Sequence, residues 1–80
     1  MYRVYLRTPV GHVSEKTVTP SRAAAVAAFA DLVSRKDLDG QLLAAALTYS
    51  NRQVAFHRFD RSPGYADYWR ERLEEIEWPE

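Results

Sequence analysis

The sequence predicts an α+β domain of element order ββαββα, a four-stranded antiparallel sheet with two helices on one face. Three observations lead there. Tyr2 to Arg7 alternates apolar and polar residues with period two, the pattern of a half-buried strand. Five alanines lie between positions 23 and 28, and an apolar stripe at helical spacing runs from Ala25 to Val33. Thr19-Pro20 and Ser62-Pro63 each set a capping residue before a proline, a common opening for a helix. With 80 residues, 46% of them hydrophobic, the chain makes one compact domain, 1–80, and buries only about 60% of its unfolded surface.

Taken in order, the first strand puts Tyr2, Val4 and Leu6 on one face and Arg3, Tyr5 and Arg7 on the other. Thr8-Pro9-Val10-Gly11 supplies turn chemistry, and His12 to Val18 reads as a second strand paired antiparallel with the first. Val13 and Val18 have opposite parity, so a bulge or a frayed end is expected. The first helix is expected from Ser21 to about Lys36, with Thr19 as N-cap and Pro20 at the first helical position. Its stripe is Ala25, Val26, Phe29, Leu32 and Val33, and the stem of Arg22 covers apolar surface at its start.

Asp37 to Gly40 is a loop, its aspartates read as turn-formers. Residues 42–50 and 53–59 are expected as strands joined through Asn51-Arg52, with a short helix at 40–46 as the alternative. The second helix is expected from Pro63 to about Glu77. Tyr65, Trp69, Leu73 and Ile76 would face inward, with Arg70–Glu74 as an i,i+4 pair outside.

Composition narrows the function classes. The chain has no Cys, and two His cannot build a closed zinc site. His57 and Asp60 stand close in sequence, but no flanked nucleophile or third ligand joins them, so His57 and His12 read as ordinary strand or turn histidines. Asp37 and Asp39 lack the oxygen-ligand pattern of a calcium loop, and three scattered glycines make no phosphate loop. The expectation is a non-enzymatic protein with no catalytic residue, no metal and no cofactor. No apolar run reaches the ~20 residues of a membrane span, and no signal-like stretch follows Met1, so a cytoplasmic protein is expected.

Two surfaces remain. Formal charge is zero, which argues against non-specific nucleic-acid binding, yet the charges are split. Residues 1–60 carry eight basic and five acidic side chains; residues 61–80 carry three and six. The acidic end, with Glu71, Glu74 and Glu75 beside Tyr68 and Trp78, has two readings. It is either a solvated helix face with Trp78 folded back on the core or a patch suited to a basic surface on a protein partner. The alternative surface is the open face of the sheet. There Arg3, Tyr5 and Arg7, joined by His57 or Arg58, form the aromatic-and-arginine pattern on which single-stranded nucleic acid stacks.

Over its whole length the chain resembles the small Cys-free α+β proteins encoded by phages and other mobile elements. Among these it is most similar to anti-CRISPR proteins aimed at type I surveillance complexes, type I-C among them. The resemblance rests on size, compactness, the absence of a catalytic motif and the acidic C-terminal segment, and it carries over no individual residue. It implies inhibition by binding a subunit of the complex and blocking target DNA. A nucleic-acid-binding module working through the open sheet face is the alternative.

Overall fold

In the computed structural model, which describes residues 1–61, 63–70, 72–76 and 78, four antiparallel strands form one sheet. They are β1 (Tyr2–Arg7), β2 (Val13–Thr19), β3 (Ala44–Tyr49) and β4 (Arg52–Arg58), in the spatial order β2-β1-β3-β4. One helix, α1 (Arg22–Val33), connects β2 to β3 across β1. Short 3-10 turns follow at Lys36–Leu38 and Leu73–Glu75.

The β1–β2 hairpin closes where the Gly11 N–H donates to the Thr8 carbonyl (3.0 Å), with Gly11 at φ 91°. A side chain there would be strained in the left-handed region. Of the two alternatives for β2, the bulge is the one present. Val4 pairs with Thr17 and Leu6 with Ser14, so Glu15 and Lys16 stand opposite Tyr5, and Glu15 takes φ 50°. The extra residue reverses parity along β2 and brings Val13 and Val18 to the same face, opposite Arg7 and Arg3. It also blunts β2, an edge strand that is exposed nearly throughout.

The cap of α1 differs from the sequence expectation. Ser21 is the N-cap, its Oγ accepting from the Ala24 N–H (3.2 Å), while Thr19 Oγ1 accepts from the Ser21 N–H (3.1 Å). Pro20 therefore lies before the helix, and Thr19 orders the approach to it. The helix stops at Val33, because Arg35 turns away to Asp37 and to Glu15 on β2 (2.9 and 2.7 Å). Ala25, Phe29, Leu32 and Val33 are buried against Val4, Leu6, Ala45 and Leu47 of the sheet.

Residues 44–49 are strand, which settles the ambiguity of this stretch. β1 and β4 flank β3 on both sides, and pairing overrides the helical propensity of its alanines. Ser50 and Asn51 take φ 48° and 68° in the β3–β4 turn, matching the two positive values that a type I′ hairpin requires.

The second helix is not found. Among the described residues of 63–78 there are turns and the 3-10 turn at Leu73–Glu75, lying over β4 where a helix was expected. The reason is competition for backbone groups. The Arg72 guanidinium donates to the carbonyls of Tyr65, Ala66 and Tyr68 (2.6–3.3 Å), which a helix would bond to amides four residues on. The Trp69 N–H instead donates to His57 Nδ1 (2.9 Å). Arg70 pairs with Asp39 (2.6 Å) and donates to the Val33 carbonyl (2.7 Å), not to Glu74.

The inward set shifts accordingly. Tyr68 and Ile76 are buried, Trp69 and Leu73 are half-buried at the core margin, and Tyr65 is 53% exposed. Trp78 folds back on the core, its ring edge-on to Tyr2 (5.7 Å) with the Arg22 guanidinium over it (4.9 Å). No helix among the described residues is long and apolar enough to cross a membrane.

Candidate functional site

With α1 and the C-terminal segment on one side, the sheet leaves its other side open, and register fixes what stands there. Strand pairing aligns three rows: Arg7–Ala44–Arg58, Tyr5–Ala46–Phe56 and Arg3–Thr48–Gln53. The bulge of β2 adds Val13, Lys16 and Val18 beside β1. Ala44 and Ala46 are small and covered by their neighbours, so the middle strand is the floor of a trough. Tyr5 and Phe56 stand on its two sides, about 10 Å apart across two strand spacings.

The electrostatics are one-sided. Arg3, Arg7 and Lys16 have no acidic partner among the described residues; the Arg3 guanidinium makes only a long bond to Asn51 Oδ1 (3.4 Å). Arg58 is neutralised by Asp60, which accepts from its Nε and Nη2 (3.0 and 2.8 Å). Glu15, the one acid of β2, is drawn off by Arg35. Three free cations thus border a trough carrying two aromatic rings. Hollows of about 320 Å³ beside Arg3, Tyr5 and Lys16 and about 240 Å³ between Arg7 and Phe56 lie along it, and one of about 490 Å³ lies past Gln53 and Phe56 toward Tyr65 and Trp69.

The other candidate surface is arranged differently. Tyr68 is buried, its ring tilted on His57 (4.9 Å) and beside Arg70. Trp78 is engaged with Tyr2 and Arg22, as described above. Both expected aromatic anchors therefore serve the domain's own packing. Glu74 and Glu75 are exposed and form no ion pair among the described residues, and Glu71 lies outside those residues.

His57 is not on the open face. It is fully buried on the helix side of β4, beside Ala55 and in edge contact with Phe59 (4.8 Å). Because Nδ1 accepts from Trp69, the proton is on Nε2, which is buried without a partner. Burial, with the charge of Arg70, pushes its pKa down to about 4, against the opposing pull of Asp39 and Asp67. The imidazole is neutral at pH 7 and acts as an acceptor holding the C-terminal segment. Asp37 and Asp39 are carboxylates paired to Arg35 and Arg70, which lower their pKa values. Among the described residues no group of three His, Cys, Asp or Glu is placed to hold a metal ion.

Phe56 and Lys16 escape a sequence reading. The bulge on β4 leaves Val54 out of register and sets the parity of the strand, turning Phe56 outward and His57 inward. Ordinary burial preferences run the other way. Lys16 joins the face only because the β2 bulge stands it opposite Tyr5. Its signal was the mismatch of Val13 and Val18. No protein-family model, curated protein or solved structure matches this chain.

Proposed function

We propose that this protein is a small non-enzymatic binding module whose open sheet face takes single-stranded nucleic acid. The observation that carries this reading is the inversion on β4, where a phenylalanine faces outward and a histidine is buried. A departure from the burial rule in an otherwise consistent sheet is where functional surfaces are expected. Phe56 and Tyr5 offer planar faces to bases, and stacking of this kind contributes about 1–3 kcal/mol per base. Arg3, Arg7 and Lys16, free of acids, are available to phosphates. Zero net charge does not oppose this, because the acids lie elsewhere: on Arg35, on Arg58 and in the C-terminal segment.

A second reading is the one the resemblance implies, an inhibitor that binds a type I CRISPR surveillance complex. Glu74 and Glu75, exposed and without cationic partners, support it. Fluorescence anisotropy with a labelled 12-nucleotide single strand tests the first. Micromolar binding is expected, with log K falling against log salt at a slope of about −2, from three phosphates at about −0.7 each. Absence of binding at 50 mM salt, or binding insensitive to salt, overturns it and leaves the inhibitor reading.

A further inference from the structure

The smaller hollow differs in kind from the rest of the trough. It lies where the face ends, between the β1–β2 turn and the loop leading into β3. Thr8 and Pro9 stand on one side, Leu42 and Leu43 on the other, Ala44 is the floor and Phe56 a wall. Both rims are tied down by backbone bonds. The Thr8 N–H donates to His12 (3.0 Å), the Phe59 N–H to Leu43 (3.0 Å) and the Gly40 N–H to Phe59 (2.8 Å). The hollow is therefore built before any ligand arrives.

Its size and chemistry select one unit. About 240 Å³ is below the roughly 300–1,000 Å³ of sites that enclose drug-sized ligands. Leu42 is 64% exposed at the rim, although the core has no use for it there. Arg58 and Asp60 neutralise each other, so the net charge at this end is that of Arg7 alone. The Arg58–Asp60 pair still offers a free N–H at Nη1 beside carboxylate lone pairs, a donor and an acceptor together, as a base edge requires.

Resting on the reading of the open face as a single-strand site, we infer that this hollow takes the terminal nucleotide of the strand. The base lies against Phe56 and Leu42, and a terminal phosphate is held by Arg7. A chain running along the trough meets the Pro9 and Leu42 rims and stops.

Competition against an internally labelled oligonucleotide separates this from the broader reading. The competitors are a 24-nucleotide single strand in linear form and the same sequence closed into a circle. The linear strand is expected to compete at least tenfold better. Leu42→Asp, at an exposed position, removes that advantage with thermal stability unchanged. A phosphate on one of the two ends strengthens linear binding further, and Arg7→Gln abolishes that increment. Equal competition by line and circle, or no effect of a terminal phosphate at either end, overturns the inference while the open-face site stands. No competition by either form overturns both.

Discussion

Residues 1–60 and residues 63–78 are held in place by different means. In the first region most of the backbone satisfies itself, through four paired strands and one helix, with polar side chains used mainly in caps and surface ion pairs. In the second, backbone bonds are isolated turns and one tie to β4, and side chains supply much of the rest. Arg72 gathers three carbonyls, Arg70 ties the segment to the end of α1 and to Asp39, and buried His57 accepts the Trp69 amide. Cooperative secondary structure tolerates the loss of any one surface group. A segment with few backbone bonds of its own, tied to the sheet by the Arg58 N–H to the Asp67 carbonyl (2.8 Å) and by three polar side chains, is more sensitive to losing one.

The comparison breaks most completely if the core fails. Phe29, fully buried between α1 and the sheet, costs about 3–5 kcal/mol on truncation to Ala, most of the stability of a domain this size. Trp69 is only half-buried at the margin of the second region, so Trp69→Ala costs roughly half as much on the same burial scale. Thermal melts of the two variants check the order. A Trp69 loss equal to that of Phe29 means the segment is part of the main core.

Acid acts on the second region through His57. His57 titrates near 6.5 when unfolded and near 4 when folded, so between those values the unfolded state binds more protons. Stability is complete above about pH 6.5 and falls as pH drops to about 4, by on the order of 3 kcal/mol at 1.36 per unit. Below that, protonation of Asp39, whose pKa is held down by Arg70, releases the second tie. Denaturant midpoints should slope downward from pH 7 to 5 in the wild type and lie flat over that range in His57→Leu.

A smaller effect isolates the guanidinium ties. Arg72→Gln leaves the carbonyls of Tyr65, Ala66 and Tyr68 to water and costs about 1.5–3 kcal/mol, the range for bonds to a charged donor. Hydrogen exchange should quicken at residues 65–76 with the amides of β1 and β3 still protected. Uniform quickening across the sheet would mean that the two regions open as one.

The same division explains what a sequence reader can and cannot see. β1, α1 and the β3–β4 hairpin carry period two, period 3.6 and an Asn at a positive φ, each of which is local chemistry. The second helix was written just as plainly, in Pro63 and the spacing of Tyr65, Trp69, Leu73 and Ile76. It lost to arginines whose partners lie up to 37 residues away in sequence, at Val33 and Asp39. The candidate site divides likewise. Arg3, Tyr5 and Arg7 follow from parity alone, whereas Phe56 and Lys16 depend on two bulges that shift register by one residue. Tyr68 and Trp78 read as surface anchors because they stand beside the glutamates in sequence, whereas both pack inward.

The central claim, that the open face of the sheet is the working surface, is tested most directly by residue-resolved titration. A ¹⁵N-labelled sample receives an unlabelled 12-nucleotide single strand, and amide shifts are followed. The account predicts movement at Arg3, Tyr5, Arg7, Lys16, Ala46, Thr48 and Phe56, reversed by added salt, with α1 and residues 72–76 unmoved. Shifts gathered at Tyr68, Glu74, Glu75 and Trp78, or none at millimolar strand, would contradict it.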